Sequence, residues 1–176
     1  MSALVTPLNF KQWIDDNRHL LKPPVANKCV WEDGDYIVMV VGGPNARKDY
    51  HLNKTPEFFY QVEGDMVLKV IDEGKPKDIH IKEGDIFLLP PNVPHSPQRK
   101  ANTIGLVIET KRPQEMTDSL QWYCESCGHK MYQESFHVAN IETDLPIIFK
   151  KFYADESLRT CNECHTVMEP PMPIKS

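Results

Sequence analysis

The stretch that decides the fold runs from residue 51 to residue 72, HLNKTPEFFYQVEGDMVLKVID. From Glu57 onward it consists of two short runs rich in aromatic and β-branched residues, joined by Glu-Gly-Asp, and so reads as strand, turn, strand. Ahead of them lies a polar turn, HLNKTPE, with the His51 imidazole at one end and the Glu57 carboxylate at the other. An extended structure can aim both side chains inward from adjacent strands. The same pattern continues on either side, in CVWEDGDYIVMVV from Cys29, DYHL from Asp49, KDIHIKEGDIFLLP from Lys77 and NTIGLVIET from Asn102. Short strands at even spacing, broken by DG, GGP, EGD, EGKP and PNVP turns, predict a closed or sandwiched antiparallel structure.

Outward from this core the text changes twice. Toward the N-terminus, Thr6-Pro7 ahead of Leu8, Phe10, Trp13, Ile14, Leu20 and Leu21 predicts an N-cap and first-turn proline opening one amphipathic helix packed outside the core. Beyond Glu109, through Lys111-Arg112-Pro113, the chain becomes a cysteine-bearing segment with a short helix over Asp144 to Tyr153 and an extended tail at Pro170, Pro171 and Pro173. The expected organisation is residues 1–112 as helix plus barrel, and 113–176 as a small tail packed on the barrel, too small to be stable without metal.

At 176 residues and 40% hydrophobic content, the chain can bury one sizeable core plus an appendage. The net charge of -5 and the scattered Lys and Arg argue against nucleic acid and anionic membrane surfaces. The N-terminus has no basic region ahead of an apolar run, and nothing approaches the ~20 apolar residues of a membrane span, so the chain reads as cytoplasmic. Four of the five cysteines form two C-x2-C pairs, which in a reducing compartment indicates metal rather than disulfides. Cys29 reads as a buried free thiol.

Two metal sites emerge. His51 and Glu57 gain a third candidate in His95, which follows a strand running into a turn made stiff by Pro90, Pro91, Pro94 and Pro97. Any one of these histidines alone is more often a surface or satisfied core residue. Together, two histidines and a carboxylate match the ligand set of non-haem Fe(II) oxygenases, which leaves roughly three of six positions open. Cys124, Cys127, Cys161 and Cys164, with 33 residues between the pairs, suit one tetrahedral four-thiolate site holding zinc or iron. A closed site of this kind is typically structural. Gly128 follows the first pair as in a rubredoxin knuckle, whereas His165 follows the second; His129, His137 and His165 lie nearby as competing ligands. Glu-Ser and Asn-Glu between the cysteines are not basic, which weakens a nucleic-acid adaptor reading.

Gly43-x7-His51-x-Asn53-x3-Glu57-x6-Gly64, followed by Gly84-x5-Pro90-x-Asn92-x2-His95-x3-Arg99, resembles the paired motifs of the cupin superfamily. Three positions depart from that pattern: a usual second His is Asn53, a usual Gly is Asn92 and a usual Asn is Arg99. With PLNFKQWID, GGPNARKDYH, PPNVPHSPQR, LVIE and the trailing C-x2-C pairs, the chain resembles the 3-hydroxyanthranilate 3,4-dioxygenase family over nearly its whole length.

The resemblance implies a mainly β, cupin-type antiparallel double-stranded β-helix, or jelly-roll barrel, with an N-terminal helix and a small C-terminal four-cysteine segment. It implies Fe(II) on His51, Glu57 and His95, with Asn53 in place of a fourth ligand so that a chelating substrate and O2 both find room. Arg99 would hold the substrate carboxylate, Arg47 would sit near dioxygen, and Glu109 would contact the substrate and move a proton. Asn27 and Phe59 would line the pocket, and Glu57 would also contact substrate. The implied reaction opens the ring of 3-hydroxyanthranilate to 2-amino-3-carboxymuconate semialdehyde, which closes to quinolinate on the kynurenine route from tryptophan to NAD. A homodimer is implied as well. The competing readings are a metal-dependent cupin isomerase or small-acid-binding protein without oxygen chemistry, and an adaptor built on the four-cysteine module. Asn53 and Arg99 favour the oxygenase.

Overall fold

The computed structural model describes residues 6–23, 26–31, 34–45, 47–139 and 141–171, with residues 141 and 142 described by backbone alone. Of the stretches read above, Met1 to Val5, Glu32, Asp33, Ala46 and Pro173 lie outside these residues. Helix α1 (Phe10–Asn17) begins three residues later than Thr6-Pro7 predicts, because Asn9 is the N-cap and its side chain accepts from Gln12 N at 3.0 Å. Its buried Ile14, with Leu21 beyond it, packs on Val40 and Ile104, so the helix lies against the barrel wall as expected.

Among the described residues, eleven strands form two antiparallel sheets. The first has the order β1 (Asn27–Trp31), β2 (Tyr36–Gly42), β9 (Ile104–Thr110), β4 (Glu57–Glu63), β7 (Ile86–Leu89). The second has the order β11 (Lys130–Phe136), β10 (Asp118–Tyr123), β3 (Asp49–Leu52), β8 (His95–Arg99), β5 (Met66–Asp72), β6 (Lys75–Ile81). Between them Met39, Phe59, Met66, Leu68, Val70, Ile81, Leu89 and Val107 make the core. Because side chains alternate along a strand, the face of β4 that buries Phe59 and Gln61 also buries Glu57.

Three readings of the sequence are corrected here. The turn expected to hold His95 ends at Pro94, and His95 opens strand β8, with Pro97 inside it. The Pro97 carbonyl accepts from Asn45 Nδ2 at 2.9 Å, so its backbone faces away from β5, where the missing N–H leaves no ladder bond unmade. The cysteine segment, read as little more than one helix, contributes β10 and β11, and β10 pairs with β3 through Leu120↔His51. Cys29 is half-buried rather than buried, packed at the margin of the core.

Helix α2 (Ile141–Ala154) contains the expected Asp144 to Tyr153 run and packs on β10, with Trp122 stacked on Phe152 at 4.2 Å. Short α3 (Glu156–Arg159), capped by Asp155, leads to the second cysteine pair. No helix among the described residues is long and apolar enough to cross a membrane.

Candidate metal centre and its pocket

The inward faces of six strands converge on one cavity of about 250 Å³. Strand β1 supplies Asn27, β2 Met39 and Val41, β3 His51, β4 Glu57 and Phe59, β8 His95, Pro97 and Arg99, and β9 Val107 and Glu109; Arg47 enters from the loop before β3. Every site residue expected from the sequence at the first metal site therefore lies on one wall or another of the same cavity. Within each strand these residues sit two apart, as the pleat requires.

His51, Glu57 and His95 are all buried, and one ligand atom from each falls within 4.8 Å of the others. Glu57 Oε2 stands 3.1 Å from His95 Nε2, and the two imidazole centroids are 5.4 Å apart. Each ring is held through a different nitrogen. His51 Nε2 is 2.7 Å from Asp118 Oδ2, whereas His95 Nδ1 is 3.0 Å from the Val93 carbonyl. His51 Nδ1 and His95 Nε2 are left for another partner, and converging nitrogens and a carboxylate fit a divalent cation. Burial pushes His51 below the ordinary imidazole range against the pull of Asp118. Burial opposes charge on His95 and Glu57 too, but their mutual attraction outweighs it, raising His95 and lowering Glu57.

Asn53 is fully buried, and its Nδ2 donates to Glu57 Oε2 at 3.2 Å. It thus does more than vacate a ligand position, since it orients the carboxylate that remains. Its carbonyl accepts from Asn92 N at 2.8 Å, and Asn92 stands at φ 63, the left-handed conformation that explains a usual glycine there and that Asn tolerates best among other residues.

Across the cavity, Arg99 is 4% exposed and makes no ion pair among the described residues. Gln61 Oε1 accepts from its Nη1 at 2.9 Å, and Nε has no partner. Gly105 makes room for it, since a Cβ there would lie 2.6 Å from Nη1 and 2.7 Å from Nη2. Burial drags this guanidinium down to about 10, with Glu57 opposing. Arg47 is engaged differently: its Nε donates to Asp49 Oδ1 at 3.2 Å, Nη2 pairs with Asp49 Oδ2, and the guanidinium lies 5.7 Å from the Phe149 ring centre.

Glu109, which the resemblance puts in contact with substrate, is buried beside Glu57 on the neighbouring strand. Burial first, and then the Glu57 charge, push it up to about 7 despite Arg112. Residues that sequence reasoning missed are Asp118, Arg112, Gln61, Asn45 and the α2 residues Leu145, Pro146 and Phe149, which close one side of the pocket. Only the three-residue step from Glu109 to Arg112 hinted at a local pair.

The four cysteines form a second cluster, with Sγ atoms 3.5 Å apart for Cys124 and Cys164 and 3.6 Å for Cys127 and Cys161. The two knuckles match. Gly128 N donates to Cys124 O and His165 N to Cys161 O, both at 2.9 Å, and the two residues stand at φ 75 and φ 59. His165 therefore keeps the knuckle despite carrying a side chain. His137 is occupied elsewhere, its Nδ1 3.0 Å from the Met116 carbonyl.

Comparison with known proteins adds an independent line. The 3-hydroxyanthranilic acid dioxygenase family matches the chain over residues 1–153. A 3-hydroxyanthranilate 3,4-dioxygenase of Xanthomonas euvesicatoria pv. vesicatoria (strain 85-10) is 58% identical over 161 residues, 92% of this chain and 91% of that protein. The 3-hydroxyanthranilate 3,4-dioxygenase of Ruegeria pomeroyi (strain ATCC 700808 / DSM 15171 / DSS-3) is 52% identical over 173 residues, 96% of each. Among solved structures, a cupin-2 domain containing protein from Shewanella frigidimarina NCIMB 400 aligns with TM-score 0.47 and 22% identity over 58% of this chain and 93% of its own.

Proposed function

The chain belongs to the 3-hydroxyanthranilic acid dioxygenase family, and from that premise we propose that it opens the ring of 3-hydroxyanthranilate with O2, using Fe(II) on His51, Glu57 and His95. The observation that carries this reading is the pairing of a buried cluster of two histidines and a glutamate with an unpaired buried guanidinium, Arg99, on one small cavity. Such a site suits a ligand with metal-chelating groups at one end and an anion at the other. Fe(II) held there would supply open positions for the substrate's adjacent hydroxyl and amino groups and for dioxygen.

The rest follows from the chain's own residues. Arg99 binds the substrate carboxylate, gaining the charge partner it otherwise lacks. Phe59, Met39, Val41 and Val107 flank the ring and exclude water. Asn53 keeps Glu57 from swinging, and the absence of an imidazole at that position keeps coordination room free. Glu109, pushed up to about 7, is poised to take the proton that the substrate releases on chelation and to return it. Arg47, anchored by Asp49, places positive charge beside the site where dioxygen is reduced. Both oxygen atoms enter the product, the ring bond beside the hydroxyl-bearing carbon breaks, and no external reductant is consumed. Cys124, Cys127, Cys161 and Cys164, better fitted to a closed site than to turnover, would hold Zn or Fe as a structural staple.

The test is oxygen uptake with 3-hydroxyanthranilate after anaerobic Fe(II) loading, together with the rising absorbance of the semialdehyde. One O2 consumed per semialdehyde formed supports the reading. No uptake, with iron demonstrably bound by the triad, overturns it.

A further inference from the structure

Behind the triad lies a buried chain of charges, of which the reaction above uses only the Glu109 end. Asp118, the first residue of β10, meets His51 Nε2 through Oδ2 at 2.7 Å. Arg112 Nε donates to Asp118 Oδ1 at 3.2 Å and to Oδ2 at 3.0 Å. Its Nη2 lies 2.8 Å from Asp118 Oδ2 and 2.5 Å from Glu109 Oε2, both close in distance but off the hydrogen-bond direction. Nη1 donates to the Thr110 carbonyl at 3.1 Å. The Arg112 and Asp118 side chains are sealed from solvent, at 0% exposure each.

We propose that Asp118 is the positioning residue that makes His51 a ligand through Nδ1, and that Arg112 clamps Asp118 in place and ties it to Glu109. The inference rests on the metal reading of the triad and deepens it. An ionised carboxylate only accepts, so Nε2 of a neutral His51 must carry the proton, which leaves the Nδ1 lone pair for the metal. His95 is the mirror case: the Val93 carbonyl only accepts, so Nδ1 carries the proton and Nε2 faces Glu57. The two histidines are therefore set in opposite tautomers by two different acceptors. A carboxylate is the stronger acceptor of the two.

A carboxylate sealed from water stays charged only beside a cation, and Arg112 supplies it. A planar guanidinium can donate from Nε to both Asp118 oxygens while setting Nη2 against Glu109, which a lysine cannot do. The link also crosses the fold. Asp118 belongs to a strand of the cysteine-bearing segment, Arg112 to the loop after β9, and His51 to the barrel strand between β10 and β8. The segment after residue 112 thereby reaches the metal centre through one side chain.

The experiment uses full-length protein labelled with 15N in histidine, metal-free and then in chelator-buffered Zn(II), with the ring-nitrogen signals of His51 and His95 as reporters of the triad alone. In the Zn(II)-bound parent, His51 is expected to be protonated on Nε2 and His95 on Nδ1. In Asp118→Asn the amide oxygen must face the donors of Arg112, so the amide NH2 faces His51. His51 then flips to the tautomer protonated on Nδ1. Zn(II) affinity of the triad falls about 10–100-fold, while His95 keeps its tautomer. Arg112→Lys should keep the His51 tautomer and lose less affinity. A parent His51 protonated on Nδ1 overturns the proposal, as does an Asp118→Asn protein with parental tautomer and affinity. Should that variant not fold, the parent tautomers decide the role of Asp118, and parental zinc affinity in Arg112→Lys removes the clamp. Zinc that fills the cysteines yet moves neither reporter in the parent overturns the metal reading beneath the proposal instead.

Discussion

Replacing Arg99 with methionine should leave the ligand-free protein as stable as the parent or more so, and make it a much poorer enzyme. The guanidinium is 4% exposed and without a carboxylate, and its pKa falls from 12.5 to about 10 through burial. At 1.36 kcal/mol for each pKa step, keeping that charge in the cavity costs about 3 kcal/mol. Because the folded pKa is the lower one, this penalty is fully present below pH 10 and relieved only above it, so a neutral side chain recovers it at pH 7. Against the gain, Gln61 Oε1 loses its donor, a loss of about 1–3 kcal/mol. The balance is a gain of about 0–2 kcal/mol, or a rise in Tm of about 0–8 °C for a chain this long. Substrate binding moves the other way. Removing one partner of a buried, hydrogen-bonded charge pair costs about 2–5 kcal/mol, at least about thirtyfold in affinity. Thermal unfolding of ligand-free protein and anaerobic calorimetry with 3-hydroxyanthranilate measure both effects. 2-Aminophenol, which lacks the carboxylate, serves as the control and should bind parent and variant alike. A variant that melts well below the parent, or that loses equal affinity for both compounds, refutes the reasoning.

Glu57→Ala should abolish Fe(II) binding at the triad while the four-cysteine cluster still takes metal, as read by metal analysis of the anaerobically loaded protein. Asn53→His should restore a fourth ligand, so Fe(II) binds at least as tightly while oxygen uptake drops; undiminished uptake would contradict the role given to that position. In metal-free protein the Glu109 carboxyl should titrate near 7 by 13C NMR. Since its folded pKa is the raised one, the stability it contributes is complete below pH 4.5 and is lost as pH rises through about 7. Denaturant melts of Glu109→Gln should lack that slope, and a slope equal to the parent's would count against it. His165→Gly should remove left-handed strain worth about 1 kcal/mol from the second knuckle and raise Tm by about 2–4 °C.

How much of this could be read in advance depends on the range of the contacts involved. Strands β2, β4, β5, β6, β7 and β9 are written in runs of alternating or β-branched residues, and the period of two already places Glu57 with Phe59 and Val107 with Glu109 on one inward face. Spacing alone could pair His51 with Glu57, because they bracket a turn. By contrast, β8 was hidden by its own prolines, since a proline inside a strand is allowed only where a neighbouring bond is not needed, and that is a fact about β3 and Asn45 rather than about residues 95–99. β10 was hidden for the opposite reason: DSLQWY is buried on both faces, so its burial does not alternate and its text shows no period.

The same limit explains Asp118 and Asn53. Asp118 lies 67 residues from His51, and nothing near it in the chain marks it as a partner of an imidazole. Asn53, in contrast, lies four residues from Glu57, yet its part was still obscure, because a missing ligand and an orienting amide look identical in sequence. The geometry separates them. Nδ2 points at Glu57 while Oδ1 is buried without a partner, and reversing the amide would set oxygen against carboxylate. The amide must therefore donate to Glu57, which makes Asn53 a residue that removes one ligand and orients another. Its replacement by alanine should thus differ from its replacement by histidine. Alanine frees Glu57 and weakens Fe(II) about tenfold or more with the coordination positions still open, whereas histidine holds the metal and closes a position. Anaerobic Fe(II) titration of both variants separates the two effects, and an alanine variant that binds iron as tightly as the parent would reduce Asn53 to a mere vacancy.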